Sequence, residues 1–244
     1  MTRRIDERTG DVSAPAQRQR TGKAADILST FTRYVAERGY DDANFSNIAT
    51  ELGVSKGTIV HHFGTKDRML AALHESYMRR RIDEAKLILE RLPSPTERLA
   101  GLLYAFMLYQ VVDRDATVAF QREVTRLANH EAMAQGRSLR EEYLGLVRSA
   151  IAAGIDAGEL RECDVKVQSL LIFGAAQWAW TWFDPEGPVT AEQVGADLVD
   201  LVLGGLLTRR SRLARMVEPD SKIVQTVHGC IVDASAGGPL PEAS

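Results

Sequence analysis

Apolar side chains recur every three or four positions through most of this chain, and no stretch alternates with a period of two. That pattern predicts an all-α protein of about nine helices. The first periodic run starts near Arg18 and carries Ile27, Phe31, Tyr34 and Val35 on one face. It stops at "ERGYDD", where Gly39 suits a left-handed C-cap. Asn44 is placed to cap a short second helix that turns Phe45, Ile48, Ala49 and Leu52 inward. Gly53 closes it and Ser55 caps a third helix. A longer amphipathic helix then opens near Thr65 and runs through Met69, Leu73, Tyr77, Ile82 and Leu89. Beyond the break at "LPSPTERL", helical patterns cover Leu99 to Tyr109, "ATVAFQREVTRLANH", Met133 to Ala157, 164–183 and 190–207. Residues 1–17 show no period and read as a flexible arm, and the pattern dissolves after Arg210, so 211–244 read as a disordered tail. The expected organisation is a three-helix unit over 18–64 and a larger helical domain over 65–210.

The junction between the second and third helices, "SNIATELGVSKGTIVHHF", carries the most specific pattern. Two helices joined by a tight turn need a small residue at their closest approach, and Ala49 supplies it. Four residues on, Gly53 admits a left-handed backbone. Ile48, Leu52, Val54, Ile59 and Phe63 fall at the offsets of a shared core. This is helix-turn-helix spacing, with Ser55–Phe63 as the recognition helix. Such a helix enters the major groove of double-stranded DNA by its N-terminal end. Thr58, His61 and His62 cluster away from Ile59 and Phe63, and no acidic side chain interrupts 55–63. Ser55, Lys56 and Lys66 are placed to meet phosphates. The same spacing also fits a purely structural turn in a bundle with a solvated histidine pair; the helix before it and the long helix after it favour the DNA-binding reading.

The overall charge of −3 says little; residues 1–82 carry about +4 and the remainder about −7, which suits a polyanion-facing module on an acidic body but also falls within the scatter of ordinary proteins. Arg18, Arg20 and Lys23 precede the first helix, either to reach a phosphate or minor groove or as solvated charges. Only Cys163 and Cys230 occur, without partnering histidines, which points to a reducing compartment and away from disulfides or zinc. No apolar run follows the basic first residues, and the longest apolar stretch, 167–183, falls short of the roughly 20 residues of a membrane span. A cytoplasmic protein with no membrane contact is expected. Nucleophile elbow, H-E-x-x-H and Walker-type glycine loop are all absent, and adjacent His61 and His62 suit no ordinary chelate, so neither enzyme activity, metal nor cofactor is expected.

Residues 27–73, "ILSTFTRYVAERGYDDANFSNIATELGVSKGTIVHHFGTKDRMLAAL", resemble the N-terminal domain of TetR-family transcriptional regulators over essentially that domain's whole length. The likeness rests on "ERGY", "IA…LGVSKGT", "HHF" and a lysine before "ML", in the family's order. It implies DNA contacts at Asn44, Ser46, Ser55, Lys56, Gly57, Thr58, His61, His62 and Lys66. Two positions depart: Val60 stands where the family usually has a tyrosine, and Asn44 where it has a capping threonine.

A reader this small gains specificity by dimerising on a two-fold operator, so the resemblance implies a homodimer through the last two long helices, 164–183 and 190–209. "SLLIFGAAQWAW" and "QVGADLVDLVLGGLL" are apolar on more than one face, which fits either pairing or completion of one subunit's core. The middle helices would enclose a small hydrophobic effector. Tyr104, Met107, Tyr109, Gln110, Phe120, Trp178 and Trp182, with Phe106, are suited to line that pocket or to ordinary core packing. Glu123 and Arg126, three apart, fit an exposed helix pair or a pocket anchor. "FQREVTRLANHEAM" and "WFDPEGPVTAEQVGADLVDLVLGG" look like actinobacterial TetR-family repressors of sterol and fatty-acid breakdown, which sense acyl-CoA thioesters; Phe173 and Thr181 stand where those carry arginine. The expected function is a ligand-responsive repressor, with a helical adaptor that never meets DNA as the alternative.

Overall fold

The computed structural model describes residues 14–126 and 131–237, all helical apart from turns and one isolated bridge between Leu160 and Leu207. Eleven α-helices follow one another among the described residues: α1 (Ala14–Arg38), α2 (Phe45–Leu52), α3 (Lys56–Phe63), α4 (Lys66–Arg91), α5 (Pro95–Val112), α6 (Arg114–Glu123), α7 (Ala134–Asp156), α8 (Val165–Gln177), α9 (Ala191–Leu206), α10 (Leu213–Met216) and α11 (Lys222–Gly237). Residues 1–13 of the expected arm, the side chains of Arg18 and Arg20, and residues 238–244 lie outside the described set. α1 begins four residues earlier than its periodicity indicates.

Local chemistry sets most boundaries. Asn44, Ser55, Thr65, Ser94, Asp164 and Thr190 each accept a hydrogen bond from the backbone N–H three residues on, satisfying one of the four orphan donors of a helix N-terminus. Ser94 with Glu97 and Thr190 with Gln193 close reciprocal capping boxes, and Pro95 supplies a preset φ at the first position of α5. α5 is buried on nearly every face from Leu99 to Gln110 and forms the axis of the C-terminal domain. α4, α6, α7, α8, α9 and α11 surround it. Its approach to α9 depends on Gly195, where an added Cβ would lie 2.6 Å from the Tyr104 ring.

Two expectations are corrected. Residues 164–183 are not one helix: α8 ends at Gln177 and a short 3₁₀ turn, Ala179–Thr181, follows. Nor are 211–244 disordered throughout, because α10 and α11 form there. Ile223, Val224, Val227, Cys230 and Ile231 fall one turn apart and are buried against α4 and α5. Arg91 anchors the helix to α4 through Asp233 at 2.6 Å, and His228 meets Glu192 of α9 at 3.1 Å.

Inside the domain, His74 is almost wholly buried, its ring 4.9 Å from that of Phe120. Burial, and secondarily Arg140, hold the imidazole down at about 4. The unfolded chain protonates this histidine near 6.5, so its contribution to stability is complete above that pH and is lost as pH falls towards 4. The loss amounts to about 3 kcal/mol. Chemical denaturation at pH 7.5 and 4.5 checks this: His74→Phe should narrow the stability difference between the two pH values.

Candidate nucleic-acid interface and the clasp behind it

Gly53 takes φ 62° and donates its N–H to the carbonyls of Ala49 and Thr50, so the chain reverses tightly between α2 and α3. Ile48, Ala49 and Ile59 are buried at the joint. Lys56, Gly57, Val60 and His61 are exposed on α3, with Thr58 and His62 half-buried beside them. Ser55 Oγ accepts from the Thr58 N–H at 3.0 Å and lies 3.0 Å from the Thr58 hydroxyl. The His61 and His62 rings meet edge-on with centroids 5.5 Å apart. Among the described residues no group of histidine, cysteine or carboxylate side chains is arranged to hold a metal. The result is a short, acid-free helix with its outer face open to solvent. Ser46 and Asn44 flank it from α2, both exposed, Asn44 with its side-chain oxygen used in capping.

Lys66 sits differently from the rest of the expected DNA-contacting set. Its ammonium donates to the Asp41 carbonyl at 3.0 Å and lies 4.4 Å from the centre of the Tyr40 ring. Desolvation lowers its pKa despite the carboxylates of Asp41, Asp42 and Asp67 nearby. It therefore fixes the α1–α2 turn, and the cation on the recognition helix without an ion pair among the described residues is Lys56.

That turn is also held by α6. The buried Glu123 carboxylate accepts the Tyr40 N–H at 3.0 Å and pairs with Arg126 at 2.6 Å. Arg126 in turn forms a fork with both carboxylate oxygens of Asp41, at 3.1 and 2.8 Å. Arg122 donates to the Ala36 carbonyl at 3.2 Å and lies against Gly39, whose φ is 85°. The Tyr40 hydroxyl reaches Asp67 at the start of α4. Glu123 and Arg126 are thus neither an exposed pair nor a pocket anchor; they clasp the DNA-facing unit to the C-terminal domain.

The expected pocket residues divide. Met107, Tyr109, Gln110 and Phe120 are buried, Phe120 stacked on Tyr77 with centroids 4.5 Å apart. Tyr104 is also buried, but its hydroxyl donates to the Met216 carbonyl at 2.8 Å and so holds the C-terminal segment. Trp178 and Trp182 are 65% and 57% exposed and line no interior. Sequence reasoning missed the polar stripe on α4. Arg81 lies between the Tyr77 and Tyr109 rings and pairs with Glu84 at 2.9 Å and Asp113 at 3.2 Å. Burial raises the Glu84 carboxyl to about 7. The spacing 74, 77, 81, 84 on one face of α4 was the available signal. Phe173 packs edge-on against Phe106 and Tyr143, centroids 5.2 and 5.8 Å away, and so contributes to the core.

A helix-turn-helix with an open recognition face, clasped to a helical domain with a mixed aromatic and polar core, defines a class of DNA-binding regulator. Residues 27–73 match the family model for bacterial regulatory proteins of the tetR family, and residues 93–206 match that for the tetracyclin repressor-like C-terminal domain. The repressor KstR2 of Mycobacterium tuberculosis is 26% identical over 189 residues, covering 77% of this chain and 94% of that protein. The fatty acid metabolism regulator protein of Bacillus subtilis is 24% identical over 191 residues, covering 78% and 98%. The solved structure of the M. tuberculosis ketosteroid regulator KstR2 superposes with a TM-score of 0.69 over 77% of this chain and 96% of that one. The chain belongs to the TetR family and is a ligand-responsive, DNA-binding transcriptional repressor.

Proposed function

We propose that the protein binds a palindromic operator as a homodimer and is released from it by a small hydrophobic effector, an acyl-CoA or other lipid-derived molecule. The observation that carries the DNA half of this reading is the open, acid-free face of α3. Thr58, His61 and His62 read base edges, while Ser55, Lys56 and Gly57 lie against phosphate, with Asn44 and Ser46 alongside. Support for the dimer comes from large apolar side chains left in solvent: Val167, Leu170 and Leu171 on α8, Trp178 and Trp182 just after it, and Leu201 on α9. Two such faces brought together set the spacing of two recognition helices.

The effector site is the core between α4, α5 and α7, where Arg81, Tyr109 and Tyr143 meet, with Gln110 turned towards Gln121 of α6. Relatives named for ketosteroid and fatty acid metabolism favour a lipid-like ligand. The Phe173 side chain lies in the core rather than at a phosphate, so any CoA portion is held elsewhere. A ligand that reshapes α4 or α6 acts on the clasp at Tyr40 and Asp41, and operator affinity falls by the difference in its affinity for the two states. No helix among the described residues is long and apolar enough to cross a membrane.

Fluorescence anisotropy with the protein's own promoter region tests the reading. Medium- and long-chain acyl-CoA thioesters should each be titrated into the complex. At least one should lower operator affinity by about 5- to 150-fold; a complex indifferent to all of them overturns the acyl-CoA assignment.

A further inference from the structure

A half-open cleft of about 530 Å³ separates α1 from the regulatory domain. Ala25, Leu28, Ser29 and Thr32 of α1 form one wall; Leu73, Ser76 and Arg80 of α4 form the second; Val112 to Ala116, where α5 passes into α6, form the third. It shares no residue with the α4–α5–α7 core, and its volume is that of a site for a small organic molecule. From its chemistry we propose that this cleft is a second ligand site, taking a small amphipathic organic anion whose acidic group pairs with Arg114 and Arg80 and whose apolar body lies on Leu28 and Leu73. The proposal rests on the regulator reading above, since a ligand there would bridge the DNA-facing unit to the domain that controls it.

Three features support that ligand class. Leu28 and Leu73 are buried, giving the cleft an apolar floor, while the rim hydroxyls of Ser29 and Ser76 offer hydrogen bonds. Arg114 is exposed and has no ion pair among the described residues, unlike the neighbouring Arg80 and Arg81. Arg80 carries a buried Nε without a hydrogen-bond partner. Its Nη2 meets Asp113 at 3.0 Å, but the same carboxylate oxygen also receives Arg81 at 3.2 Å. One carboxylate thus serves two guanidiniums, leaving Asp115, exposed at the start of α6, as the other acid of the rim. Glu84, the remaining partner of Arg81, lies on the buried side of that guanidinium, and burial pushes its carboxyl upwards. An anion with bidentate geometry suits the partnerless Arg80 Nε and the exposed Arg114 beside it.

Calorimetric titration of the full chain with decanoate, and with 1-decanol as the uncharged control, tests the assignment. Decanoate should bind at one site per chain and decanol at least 10-fold more weakly. Arg114→Gln should weaken decanoate at least 10-fold, and Ser29→Trp, which fills the cleft from an exposed position, should abolish binding. Val189→Ala, exposed and outside the cleft lining, should leave decanoate affinity unchanged. Absence of decanoate binding, or binding unaffected by both Arg114→Gln and Ser29→Trp, overturns the proposal. The same preparations are assayed on promoter DNA: intact operator binding without cleft binding removes this inference alone, whereas loss of DNA recognition by the wild-type chain removes the regulator reading beneath it.

Discussion

Replacing Leu171 and Leu201 together by glutamate is expected to leave each chain folded but monomeric. Both side chains face solvent in the single chain, at 61% and 71% exposure, so their removal leaves no cavity in the core. In a dimer joined through α8 and α9 they would be desolvated, and the substitution would bury four like charges at one two-fold interface. Such a burden exceeds the 2 kcal/mol or more typical of a single interface hot spot, and dimerisation should weaken about 100-fold or more. Operator affinity should fall with it, because two linked half-site contacts become two independent ones. Sedimentation and circular dichroism separate the outcomes. A monomer of unchanged helicity agrees with the account, and an intact dimer places the interface on another face.

Glu123→Ala should have the second largest effect, and a different signature. The substitution strands the buried Tyr40 N–H and frees Arg126 from its carboxylate, a loss of about 2 kcal/mol. For a chain of this size the melting temperature should drop by about 4–8 °C. Glu123→Gln keeps an acceptor for the N–H and should recover much of that loss. The effect on regulation should be sharper than that on affinity. The recognition helix itself is untouched, so unliganded operator binding persists while the response to effector shrinks, because the C-terminal domain no longer grips the α1–α2 turn. Full effector response in both variants, measured by anisotropy, would show that coupling runs through α4 alone.

Much of this architecture was legible in the chain because local chemistry and long-range packing agree there. Asn44, Gly53 and Ser55 specify the helix-turn-helix through caps and a positive φ, features set within a few residues. The same holds for Ser94 and Thr190. What escaped depends on partners distant in sequence. α11 is rich in β-branched residues and includes Gly229, both poor helix formers. Its Ile223–Ile231 stripe becomes persuasive only with α4 and α5 to cover it. Trp178 and Trp182 look like pocket residues in a list of aromatics, but the break after Gln177 turns them outward. Lys66 has the composition of a phosphate contact, yet the Asp41 carbonyl and the Tyr40 ring hold it. Glu123 and Arg126 show the same limit: spacing identifies the pair but not the backbone N–H 83 residues away that the pair secures.

The claim on which the rest depends is that the Lys56–Phe63 helix reads duplex DNA. Anisotropy titrations of the wild-type chain and a Thr58→Ala/His61→Ala variant, each against the protein's own promoter region and a shuffled duplex at fixed salt, test it most directly. The account predicts that wild type prefers its promoter by about 10³-fold or more, and that the variant loses most of that preference while retaining salt-dependent binding to both duplexes. Equal affinity of the wild type for the two duplexes, or a preference untouched by the double substitution, would contradict it.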